Sequence, residues 1–131
     1  MSRVVALDHG AARCGVASSD PSGTIVSPLD PVERPDSGAG MSQLSDLLTR
    51  LDAGTVVVGL PLGLDGEPTA QSGRARAFAG RLAALVPEVE VELFDERLTT
   101  KAAQEIGGSS SEDSRAAAVL LERWLLTKET K

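Results

Sequence analysis

The run Thr55-Val56-Val57-Val58-Gly59 constrains this chain more than any other segment. A continuously apolar strand has no side to turn to water, which is the pattern of a parallel strand covered on both faces. Such a strand needs helices above and below it. The flanking sequence supplies them: Leu44, Leu47, Leu48 and Leu51 fall on one face of a helix over about residues 41–52. After the strand, a long helix over 69–86 turns Phe78, Leu82 and Leu85 inward before Pro87 ends it. Val89 to Phe94 alternates as another strand. A short helix then ends at Gly107-Gly108, and a final helix covers about 113–128.

The first third of the chain has a different grain. Arg3 to Asp8 is a short β-branched strand, Gly15 to Ser19 returns beside it, and Thr24 to Ser27 forms a third strand after the Pro21-Ser22-Gly23 turn. The stretch Pro31 to Gly40, with prolines, glycines and mixed charge, reads as a mobile loop. A meander followed by βα units predicts a mixed α/β sheet with helices on its faces. With 131 residues, 41% of them hydrophobic, the chain is expected to be a single domain spanning 1–131 with its own core. No apolar run approaches the roughly 18 residues of a membrane span, and no basic region followed by an apolar signal core opens the sequence. The expectation is a cytoplasmic protein with no membrane partner. The lone Cys14 lies in an apolar strand and is expected to be a buried, inert thiol.

Chemistry enters at the end of the first strand, where Asp8 is followed by a glycine-rich reversal through Gly10 and Gly15. Glycines there let a phosphate or a metal approach the backbone, although an Asp before a turn is commonly only a turn former. Asp113 heads the stripe Asp113, Ala117, Leu120, Leu121 and Trp124 of the final helix. A carboxylate on a core-facing stripe is costly unless partnered, and a capping box with Ser110 is compatible with that position. Asp95 and Glu96 close the last strand, where they also complement the positive end of a helix beginning near Thr99. Acids at the ends of strands one and five and at the start of the final helix can converge. Convergent carboxylates suit hard divalent cations, Mg²⁺ or Mn²⁺. Two such ions about 4 Å apart stabilise both the attacking and the leaving oxygen of a phosphodiester. The predicted reaction is hydrolysis of a nucleic-acid backbone by activated water, since no Ser, Cys or His is placed as a nucleophile beside a base. A net charge of −6 argues against unselective nucleic-acid affinity, yet the basic residues cluster: Arg74, Arg76 and Arg81 in one segment, Arg97 and Lys101 in another. For any one of these arginines a solvated helix face is the plain reading.

Four motifs in order carry a family resemblance over nearly the whole chain. They are Asp8-x-Gly10-x-x-Arg13-x-Gly15-Val16-Ala17-x-Ser19-Asp20, then Val57-Val58-Gly59-Leu60-Pro61-Leu62 with Asp65-Gly66, then Asp95-Glu96-Arg97-Leu98-Thr99-Thr100, then Asp113-x-x-Ala116-Ala117. The sequence resembles the pre-16S ribosomal RNA nucleases, also called YqgF or RuvX-type Holliday-junction-resolvase-like proteins. The resemblance implies an α/β, ribonuclease-H-like fold, a five-stranded mixed sheet in the order 3-2-1-4-5 with the second strand antiparallel to the rest and helices on both faces. It implies a metal-dependent nuclease that matures the ends of 16S ribosomal RNA. In that sheet the strand order reverses beside Asp8, at the switch point where crevices form, and Gly59 leaves the crevice unfilled.

On this reading Asp8 bridges the metals while Glu96 and Asp113 complete their shells. Asp95 is the alternative to Glu96, because neighbouring strand residues point to opposite faces and the sequence does not fix which faces the crevice. Gly10, Arg13, Arg74 and Arg97 are the candidate substrate contacts, with a structural role equally open for Arg13 and Arg97. His9, the single histidine, points away from Asp8 and receives no catalytic role. The chain departs from the family pattern at Gly107-Gly108-Ser109-Ser110-Ser111-Glu112, where members carry a longer, lysine-rich stretch.

The expected partner is nucleic acid: precursor ribosomal RNA, or branched or single-stranded DNA. Competing readings are a nuclease for Holliday junctions or other structured DNA, and a non-catalytic nucleic-acid-binding factor in ribosome assembly. An ATPase of the actin and sugar-kinase type shares the Asp-x-Gly turn but clamps its nucleotide between two related domains. Both a monomer and a homodimer fit; junction resolution demands two active sites, whereas trimming an RNA end needs one.

Overall fold

The computed structural model describes residues 3–63, 65–95 and 112–129, with the side chains of 112, 113 and 129 excepted. Five strands, β1 (Arg3–Asp8), β2 (Arg13–Ser19), β3 (Val26–Glu33), β4 (Ala53–Leu60) and β5 (Glu90–Asp95), form one sheet in the order β3-β2-β1-β4-β5. β2 is antiparallel to β1 and β3, whereas β1, β4 and β5 run parallel. Among the described residues three helices pack on it: α1 (Gly38–Arg50), α2 (Ala70–Leu85) and α3 (Glu112–Glu129).

Strand alternation divides the sheet between two cores. Val5, Leu7, Cys14, Val16, Val56 and Val58 meet Leu44 and Leu48 of α1 and Phe78 and Leu82 of α2. Ala6, Ala17 and Val57 meet Ala117, Leu120, Leu121 and Trp124 of α3. The apolar strand β4 is thus covered on both sides, as its sequence requires, and Cys14 is buried in the first core. Full burial of each large aliphatic or aromatic side chain contributes about 1.5–3 kcal/mol. α3 is held at both ends. Ser114 bonds to β2 and β3, and ten residues later Trp124 Nε1 donates to Glu92 Oε1 of β5 at 3.2 Å, with Lys128 Nζ 4.8 Å from the indole centroid. Among the described residues no helix is long and apolar enough to cross a membrane.

The segment expected to be a mobile loop is ordered. β3 runs on to Glu33, Val32 fills the first core, and α1 starts at Gly38 behind the N-cap Ser37, whose hydroxyl accepts from Gly40 N–H. Pro31 and Pro35 suggested a loop, but Pro31 falls at the irregularity of the β2–β3 ladder on an edge strand, where a missing donor is tolerated. Leu85 also departs from expectation: it is 52% exposed, and Val86, just past the helix, takes the buried place at 1%.

The β2–β3 connection is organised by one carboxylate. Asp20 Oδ1 accepts from the N–H groups of Thr24 at 2.7 Å and Ile25 at 2.9 Å, and Oδ2 accepts from the Ser22 hydroxyl. The Ser22 hydroxyl and the turn amides hold the Asp20 carboxyl down at about 2, below its ordinary 3.8. A depressed carboxyl pKa adds stability above the unfolded value and loses it as protonation proceeds. Asp20→Ala is therefore expected to be less stable than wild type at neutral pH. The difference should shrink as pH falls from about 3.8 towards 2, read from urea unfolding midpoints of both proteins across that window.

Candidate nuclease site

Asp8 is the last residue of β1, at the edge where the parallel strands end. Its partner across the antiparallel pair is Gly15. On the other side the β1–β4 register reaches Leu7 opposite Val58, and its continuation by one residue sets Gly59 beside Asp8. Residues paired across a ladder share a face, so the partly exposed Asp8 stands on the α3 side with a glycine on each flank and Phe94, the partner of Gly59, beyond. Strand order reverses here, with the antiparallel β2 on one side of β1 and the parallel β4 on the other. The site is a carboxylate at a switch point with no side chain beside it on either neighbouring strand.

The turn after Asp8 is fixed from the opposite face. His9 is buried and packs its ring on Phe78 at a centroid distance of 4.6 Å. Its Nε2 lies 2.8 Å from Asp36 Oδ2, and the other oxygen of Asp36 lies 4.0 Å from Arg81 of α2. His9 thus anchors the chain next to Asp8 to α2 and to the turn that precedes α1, and it stays out of the Asp8 crevice as expected. Gly10 is required by the turn itself, since a Cβ there would lie 2.8 Å from the Arg13 carbonyl oxygen. Arg13 is exposed at the start of β2, with Nε 3.7 Å from the Glu33 carboxylate opposite it on β3. An exposed pair at that distance contributes little to stability.

Asp95 ends β5 opposite Leu60. It shares its alternation with Val91, which packs on the α1/α2 core, while Phe94 belongs to the α3 core. Asp95 and Asp8 therefore stand on opposite faces of the sheet. Asp113 lies in the first turn of α3, between Glu112 and Ser114. Glu96, Arg97, Lys101 and the segment 107–111 lie outside the described residues. Arg74 is exposed on the first half of α2. Of the four expected metal ligands only Asp8 and Asp95 have described side chains, and among the described residues no three His, Cys, Asp or Glu groups converge as a metal site.

One positioning residue escaped the sequence reading. The β2–β3 ladder slips by a residue between Cys14 and Val16, so that Cys14 faces Val32 but Val16 faces Leu29. Into this irregularity goes the hydroxyl of Ser114, which accepts from Val16 N–H at 3.2 Å and donates to the Leu29 carbonyl at 2.6 Å. Ser114 is fully buried. The contact seats the start of α3, and with it the backbone of Asp113, one residue along β2 from Gly15, the partner of Asp8. A hydroxyl three residues before Ala117 and seven before Leu121, on the apolar side of the helix, is the signal that would have found it.

Comparison with known proteins gives the family and the fold. The profile of the RuvX family, described as Holliday junction resolvase, matches residues 2–127. A protein of Clavibacter michiganensis subsp. michiganensis, named as a pre-16S rRNA nuclease, is 40% identical over 95% of this chain and 83% of its own length. A relative of the same name from Anaeromyxobacter sp. is 42% identical over 94% of this chain and 96% of its own. Among solved structures, Thermus thermophilus RuvC in complex with a Holliday junction superposes with a TM-score of 0.65 at 14% identity, covering 98% of this chain and 96% of that one. The fowlpox virus Holliday junction resolvase does so with a TM-score of 0.59 at 9% identity, covering 96% and 99%. At these identities the structures establish the fold, a ribonuclease-H-like sheet.

Because Ser114 bonds to each of two strands, Ser114→Ala takes a partner from the buried Val16 N–H and from the part-buried Leu29 C=O. The expected loss is about 1–3 kcal/mol of unfolding free energy, measured by urea denaturation.

Proposed function

The chain belongs to the RuvX family, and on that premise we propose that it is a divalent-metal-dependent nuclease that hydrolyses phosphodiester bonds in maturing the ends of 16S ribosomal RNA. The observation that carries this reading is Asp8 at the switch point between Gly15 and Gly59. A glycine on each side leaves room at the carboxylate for a cation and a phosphate oxygen. Carboxylate oxygens are the donors that Mg²⁺ and Mn²⁺ prefer, so the residue types fit such ions.

Asp8, Glu96 and Asp113 are the residues that would hold them. Asp8 contributes from the rigid end of β1. Asp113 contributes from the helix start that Ser114 seats over β2 and β3. Between the two acids that follow one another after Phe94, the alternation of β5 favours Glu96, since Asp95 takes the face opposite Asp8. When bound, the ions supply an activated water and offset the charge that grows on the phosphodiester. The chain's own part is to fix its acids in place. The His9–Asp36 contact prevents the turn after Asp8 from shifting, and Arg13 and Arg97 are placed in sequence beside the two acidic strand ends to meet phosphate oxygens. The protein acts in the cytoplasm, where precursor ribosomal RNA is processed.

The test is cleavage of a precursor 16S fragment, single-stranded DNA and a four-way DNA junction with Mg²⁺ or Mn²⁺, wild type against Asp8→Asn. Expected is cleavage of the RNA that EDTA abolishes and that Asp8→Asn lowers by more than about 100-fold, beyond the 10–100-fold cost of disturbing a ligand's supporting contacts. Cleavage that survives Asp8→Asn would sink the site. Preference for the junction would replace RNA with branched DNA as the substrate.

A further inference from the structure

We propose that the solvent face of α2 is a track for the sugar–phosphate backbone of the RNA outside the cleavage site; this rests on the nucleic-acid reading above. The chain carries a net charge of −6, yet α2 holds Arg74, Arg76 and Arg81 and no acid. All three are exposed. Neither Arg74 nor Arg76 pairs with a carboxylate among the described residues, and Arg81 has only Asp36 at 4.0 Å. A wholly cationic helix in an acidic protein is where a polyanion is attracted while the remaining surface repels it.

The helix is also placed for this use. The hydroxyl of its N-cap, Thr69, donates to the Pro61 carbonyl at 2.8 Å, which ties the first turn of α2 to the carboxyl end of β4. That end is the sheet edge at which Asp8 stands. Arg74 and Arg81 are two turns apart, about 10 Å along the helix, so the charge leads from that edge over the outer layer.

Shape completes the case. At 100° per residue Gly73, Ala77, Gly80 and Ala84 form the outermost line of α2, with Arg74 and Arg81 along one side of it and Arg76 along the other. Glycine inside a helix weakens it and is kept where something must come close. Nothing among the described residues requires these two, because a Cβ at Gly73 or Gly80 would meet nothing within 4 Å. A low ridge fenced by guanidinium groups admits a phosphate backbone to bidentate contact.

Binding of a fluorescent single-stranded RNA is measured in EDTA, so that no cleavage occurs, over a series of salt concentrations. For Arg74→Gln/Arg76→Gln the affinity is expected to fall several-fold and the log–log salt slope to become shallower by about 1.4, two contacts at about 0.7 each. Arg74→Lys/Arg76→Lys should keep the wild-type slope. Gly80→Glu should melt at or above the wild-type temperature, since its side chain enters open space and glutamate is the better helix former, and should still bind RNA more weakly. Wild-type affinity and slope in both the double Gln variant and Gly80→Glu would overturn the track, as would a wild type that binds no RNA. The nuclease reading fails separately: a wild type that binds the RNA through these residues but does not cleave it in Mn²⁺ loses the activity and keeps the track. Cleavage with unaltered binding by the variants does the reverse.

Discussion

The Ser114 hydroxyl, lodged between the Val16 amide and the Leu29 carbonyl, is the contact on which the architecture around Asp8 depends. A bulge ordinarily leaves ladder groups unpaired, and buried unpaired groups are expensive. Here the irregularity becomes a socket. Only a small side chain that both donates and accepts can satisfy a lone N–H and a lone C=O at once, and it must come from an element lying across the two strands. The slip in β3 therefore dictates where α3 begins, and α3 brings Asp113 with it. Without the slip the edge strand would pair regularly with β2, and the helix would have no fixed starting point over the sheet.

Much of this was legible in the sequence because it rests on local pattern. The valine run of β4 required cover on both sides and received it. The Asp8 turn announced a carboxylate at a strand end, and the family resemblance that the motifs carry implied the sheet order that the structure has. What escaped depends on partners distant in sequence. Ser114 and Val16 are 98 positions apart, and nothing around either predicts a bulge between β2 and β3. Proline in β3 obscured a strand because its harmlessness depends on being at the sheet edge, a property of topology rather than of the segment. The exposure of Leu85 follows from where the core stops. The face that Asp95 takes is given only by the packing of Val91 and Phe94, since alternation needs one residue of known face before it can orient the next.

The two sides of the sheet are built from different materials. The α1/α2 side is filled by Leu44, Leu48, Phe78 and Leu82 against valine and leucine from the strands. Towards α3, beside Val57, Leu120, Leu121 and Trp124, sheet and helix also meet through Ala6, Ala17, Ala117 and Ala118. Short side chains in facing layers let a helix approach a sheet closely. On the face that carries Asp8 the alanines act as a spacer of fixed thickness, and a larger residue at Ala17 or Ala117 would lift the helix start together with the Ser114 contact.

That division has a consequence for a chain emerging from the ribosome. β1 to β5 and both α1 and α2 are complete once residue 95 has appeared, so the bulky core can close while α3 is still being made. The side left open in the interval is the one lined by Ala6, Ala17 and Val57, which waits for α3 to cover it. The last helix then covers that side of the sheet and, on the proposed assignment, brings in Asp113, so that no chain stopped short of it would carry the full set of acids.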